Sequence, residues 1–197
     1  IVMDSEMQEQ ILTDANNLTS EILQLVKNLE AFAFPESKVF NLEEFKQFLF
    51  NRNLQVYSEN LRLLGNKIHG LKGSCGFLMN DAKQICHKME DITRPLAENK
   101  LVLTDKLARL LKQFVFKIED MLEQFLSDPG NISAGDWLER IAEAQMEAET
   151  FMGDHVADFE ELLQERSIDA GEIRKARKED YLSVSNKGYE TLAEKAK

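Results

Sequence analysis

The sequence predicts an all-α protein: an antiparallel four-helix bundle with additional helices toward the C-terminus. Three observations carry that prediction. Apolar residues recur three or four apart through most of the 197 residues, the spacing of one helix face. Only three prolines and nine glycines occur, too few for the tight turns of a sandwich or barrel. Cap and stop residues fall between the periodic stretches, which leaves the short loops that antiparallel neighbours need.

The first stretch carries Ile11, Leu12, Leu18, Ile22, Leu25, Val26 and Leu29, and it stops near Phe34-Pro35, where proline supplies no N–H to continue a helix. Asn41 reads as a cap before Leu42, Phe45, Phe48 and Leu49, and Asn51-Arg52-Asn53 as an interruption or kink. The stripe resumes as Tyr57, Leu61, Leu64, Ile68, Leu71, Cys75 and Leu78. Asn80-Asp81 reads as a turn and cap before a third helix with Ala82, Ile85, Cys86, Met89, Ile92 and Leu96 inward, kinked or stopped near Pro95. Thr104 caps a fourth helix that runs from Leu107 to Phe125 and ends at Ser127-Asp128-Pro129-Gly130. On this reading residues 4–130 form the bundle and 131–197 a helical extension. Within the extension Ser133–Asp136 give an N-terminal signature, Trp137 anchors a fifth helix and Gly153 breaks it. After about Ser167 the sequence turns polar, as solvent-facing helices or as helices awaiting a partner.

Charge and composition narrow the function classes. Acidic residues outnumber basic ones 35 to 24, a formal charge of −11, so neither nucleic acid nor an anionic membrane is an expected partner. No apolar run approaches the roughly 20 residues that span a bilayer, and no secretory signal pattern opens the chain. Cys75 and Cys86 make no disulfide framework and lack zinc-knuckle spacing, which places the expected location in the cytoplasm. The opening Ile1-Val2-Met3 is read either as preceding a start at Met3 or as part of an excerpt from a longer chain.

One face of the second bundle helix departs from this pattern. His69 has Gly65 four residues before it, and Lys72, Gly73 and Gly76 three, four and seven after it. Each glycine inside a helix costs roughly 0.5–1 kcal/mol relative to alanine. Three around one histidine provide a bare surface on which another protein's backbone can approach an imidazole, with Lys72 one turn away for an anion. Neutral imidazole is nucleophilic near pH 7, so the pattern suits a phosphoryl carrier. The ring needs an acceptor at one nitrogen to fix its tautomer. Glu90 is the candidate, with His87 three residues before it on the adjacent helix.

The stretch His69-Gly70-Leu71-Lys72-Gly73-Ser74-Cys75-Gly76 resembles the H-x-L-K-G-S-x-G signature of histidine phosphotransfer (HPt) domains. Cys86-His87-Lys88-Met89-Glu90-Asp91 is similar to the A-H-x-L-E-D segment in the N-terminal phosphotransfer domain of CheA-type chemotaxis kinases. The spacing from His69 to His87 and Glu90 is one residue shorter than in that pattern, and Phe32–Asn53 is longer than its usual first connection. The longer segment is a candidate extension of the docking surface. The resemblance spans about Met7 to Leu126. It implies that His69 is the phosphoacceptor, that Lys72 steadies the phosphoryl group, and that Glu90 and His87 form a network behind the ring. Gly65, Gly73, Ser74 and Gly76 would line the partner-docking face. The implied partners are a histidine kinase, in cis or in trans, and a CheY-like response regulator. ATP and Mg²⁺ would belong to those partners, and no cofactor or metal to this chain.

Two other readings stay open on sequence. One is a non-catalytic interaction module that keeps the fold. The other is a metal site from His69, Cys75, Cys86 and His87, against which Cys75 and Cys86 at inward positions read as small core residues. The P-loop motif G-x-x-x-x-G-K-[ST] is absent, so no kinase activity is expected from these residues, although a parent chain of CheA type would be an enzyme.

Overall fold

A computed structural model describes residues 4–164. Among them the secondary structure is helical, apart from an isolated bridge between Phe34 and Thr104. Among the described residues the α-helices run in order α1 Ser5–Leu29, α2 Leu42–Phe50, α3 Leu54–Leu78, α4 Asn80–Ala97, α5 Asp105–Ser127 and α6 Trp137–Met152, and residues 156–164 are helical as well. The chain divides into two compact units, Ile1–Phe159 and Glu160–Lys197, and residues 160–164 of the second are helical. The first unit takes in α6, which the sequence reading assigns to an extension from 131 onward. The polar stretch after Ser167 lies outside the described residues.

Local chemistry fixes most of the boundaries. Asp4 caps α1 by accepting from Met7 N–H at 2.7 Å, and Asn41, Asn53 and Thr104 cap α2, α3 and α5 in the same way. Asn51–Asn53 therefore separates two helices rather than kinking one. Asn80 is not a cap. It is the first residue of α4, and the single residue Met79 joins α3 to α4. The Asp81 carboxylate instead accepts from Ala134 N–H at 3.0 Å and fixes the approach to α6. Pro95 lies inside α4, which continues for two residues before Asn99 turns the chain at φ 61°. Gly153 ends α6 at φ 54°, as its position after Met152 predicts.

The long helices pack as a bundle whose most extensive seams are α1–α3 and α3–α4, with α5 against α1 and α6 against α4. Leu18 meets Gly70, Glu21 pairs with Lys67 at 2.8 Å, and Asn28 bonds to Asn60 at 3.3 Å. Each step forward on α1 is thus matched by a step back on α3, which makes the pair antiparallel. The core is the apolar stripe read from the sequence: Ile22, Val26, Leu64, Ile68, Leu71, Ile85, Met89, Phe114 and Ile118 are all fully buried. Burial of each such side chain contributes about 1.5–3 kcal/mol.

A second apolar cluster closes the end where α1 finishes and α3 and α5 begin. Phe34 packs edge-on against Phe40, Phe45 and Phe48 at centroid distances of 5.3–6.3 Å, and Phe151 and Phe159 complete the group. Main-chain bonds from Phe34 N–H to Leu103 O and from Asp105 N–H to Phe34 O, both 2.9 Å, tie this segment to the start of α5. The segment Phe32–Asn53 thereby builds the end of the bundle. His69 lies fifteen residues along α3 from Leu54, about 22 Å away at helical rise.

Candidate functional site

The α3–α4 hairpin sets two polar stripes beside each other on the outside of its apolar seam. From α3 come His69 and Lys72, and from α4 come Lys83, His87, Glu90 and Arg94, at steps of four, three and four. Glu90 is the centre of the group, with only 10% of its side chain exposed. Lys72 Nζ lies 2.5 Å from Oε1 as a close ion pair and is itself mostly covered. His69 Nδ1 lies 3.3 Å from Oε2, with 69% of the histidine side chain exposed. Arg94 Nη2 approaches the same Oε2 at 3.7 Å, and His87 Nδ1 comes within 4.0 Å of Oε1.

Burial alone would raise the carboxyl pKa of Glu90. The contacts of Lys72 and His69 outweigh that penalty, and the net shift is below the ordinary carboxylate value. Glu90 is therefore ionised at neutral pH. A carboxylate only accepts, so the ring nitrogen facing it carries the proton, and Nε2 of the neutral ring is left bare. That nitrogen sits on a side chain open to solvent. The arrangement holds an oriented imidazole and can compensate a positive charge that develops on it.

The sequence-predicted residues divide into three groups. His69, Lys72, Glu90 and, at the margin, His87 are brought together. Gly65 and Gly73 face open space, and Ser74 is half-buried beside them. Gly76 departs from the bare surface expected of it, because the Lys83 stem covers it: a β-carbon there would lie 3.1 Å from Lys83 Cδ. The Lys72 ammonium is turned to Glu90. Sequence reasoning passed over Lys83, Arg94 and the exposed Phe77, although the 83–87–90–94 spacing is a legible signal for the first two.

Cys75 and Cys86 are fully buried, and the Cys86 thiol is pushed well up by its hydrogen bond with Cys75 and then by burial. They act as small interior groups, apart from the exposed rings of His69 and His87. Among the described residues no three His, Cys, Asp or Glu side chains gather in a way that would hold a metal ion. No helix among those residues is long and apolar enough to cross a membrane. Comparison of the chain with protein-family models, with curated proteins and with solved structures returns no match.

Proposed function

We propose that the chain is a cytoplasmic phosphorelay intermediate of the histidine phosphotransfer type, with His69 as its phosphoacceptor. The observation that carries this reading is an exposed imidazole whose Nδ1 faces an ionised, largely buried Glu90 while Nε2 stays free. In the first step the Nε2 lone pair attacks the γ-phosphorus of ATP held by a histidine kinase, and the bond to the ADP oxygen breaks. The proton stays on Nδ1, and Glu90 balances the charge that the ring acquires. In the second step an aspartate carboxylate of a CheY-like response regulator attacks the phosphorus. The P–N bond breaks, its electron pair returns to Nε2, and Mg²⁺ on the regulator supplies charge compensation. This chain's own part is to orient the ring, keep it open and present a docking face.

The test uses phosphoramidate as a small donor that needs no cognate kinase. The expected product is acid-labile, alkali-stable labelling, lost in His69→Gln and retained in His87→Gln. Absence of label on the wild-type chain, or label that persists in His69→Gln, overturns the assignment and leaves a helical interaction module.

A further inference from the structure

The glycine that is not bare points to a second element of the site. Lys83 Cδ, Cγ and Cε lie 3.1, 3.5 and 3.7 Å from where a β-carbon of residue 76 would stand. A lysine stem from α4 thus lies flat across α3 where a side chain is missing, while Gly65 and Gly73 stay uncovered. Lys83 also begins the α4 stripe that continues through His87, Glu90 and Arg94. With Lys72, this stripe adds Lys83 to the two cations that approach Glu90, in a chain whose formal charge is −11. Lys72 and Arg94 are both directed at Glu90, whereas the exposed Lys83 is held by packing on a glycine.

We propose that Lys83, seated on Gly76, is a docking residue for an acidic partner surface that closes over His69. The proposal rests on the phosphotransfer reading, which requires the acceptor to bring a reactive carboxylate and metal-binding carboxylates to His69. An exposed cation on an otherwise acidic protein is complementary to such a surface and favours its approach at this place over the rest of the molecule. The glycine seat has a physical purpose in this role. A lysine free in water loses rotamer freedom when it docks, and a stem already laid along α3 has less to lose. A β-carbon at position 76 would stand 3.1 Å from Lys83 Cδ and press the stem away from this seat by a few tenths of an ångström.

The experiment measures phosphoryl transfer from equal amounts of His69-phosphorylated chain to a purified CheY-type receiver domain with Mg²⁺. At low salt, Lys83→Gln should slow second-order transfer about two- to five-fold, the effect of one exposed charge. Lys83→Arg should restore most of it, and the difference should vanish at high salt. Gly76→Ala should slow transfer in the wild-type background and add nothing in Lys83→Gln. Equal rates for Lys83→Gln and wild type overturn the proposal, as does a Gly76→Ala effect that is independent of Lys83. Transfer from the wild-type phosphoprotein to no receiver domain overturns the choice of partner. Failure to label His69 at all overturns the phosphotransfer reading itself, which separates the two failures.

Discussion

The two ends of α3 solve opposite problems with the same helix. Near Leu54 the surroundings are aromatic, with Phe34 edge-on to Phe40, Phe45 and Phe48 and Arg52 laid 3.7 Å over the Phe48 ring. Near His69 the surroundings are ionic, with two cations and an imidazole directed at a carboxylate. The aromatic end is held by non-directional burial and tolerates exchange of similar shapes. The His69 seam is held by directional charge contacts, so its geometry depends on which atoms ionise. Under the phosphotransfer proposal, stability and chemistry fall to different parts of one element, and substitutions at each should separate them.

The largest effect is expected at the aromatic end. Phe45 is fully buried and touches Phe34, Phe40, Phe48 and Phe159. Phe45→Ala should cost about 3–5 kcal/mol in denaturant unfolding. The folded fraction should still take label at His69, since the two sites lie far apart along α3. Loss of labelling in folded Phe45→Ala would break the separation.

At the seam, Glu90→Gln removes the charge that holds Lys72. About 1–3 kcal/mol should be lost at neutral pH, a smaller figure than for a fully enclosed pair because Lys72 is 20% exposed. The pH dependence has a definite sign. The folded-state carboxyl pKa is lowered, so its stabilisation is present above the ordinary carboxylate range and fades as pH falls through the folded value. The stability gap between wild type and Glu90→Gln should therefore narrow in acid. A gap that is constant with pH would show that Glu90 acts through shape rather than charge.

How far each region was legible in the sequence follows from the same contrast. Helical caps at Asn41 and Thr104 were readable because a short polar side chain bonding its own backbone is a local event, whereas Asn53 read as part of an interruption and caps α3 in the structure. The inward stripe was readable because periodicity alone sets it. The meeting of His69 with Glu90 followed from two helix faces and a short turn. What failed was non-local. Asn80 looked like a cap, yet the hairpin closes through Met79, and Asp81 serves a main-chain N–H fifty-three residues away. Gly76 looked bare because no spacing rule reveals that a lysine from another helix fills the place of its missing side chain. The bridge from Phe34 to Thr104 depends on two loops that carry no pattern of their own.

A smaller test contrasts glycines from the two regions. Gly153 follows the aromatic end at φ 54°, ψ −127°, a conformation that L side chains rarely adopt. Gly153→Ala should cost about 1–3 kcal/mol. Gly65 lies in the middle of α3, where an added β-carbon meets nothing within 4 Å. Gly65→Ala should therefore stabilise the fold by about 0.5–1 kcal/mol, the helix-propensity difference. If the open surface around His69 serves close approach of a partner, the same variant should slow transfer to a receiver domain while its melting temperature rises. A stabilised Gly65→Ala that transfers at the wild-type rate would show that this glycine has no part in docking, and the approach surface would contract to the neighbourhood of Gly73.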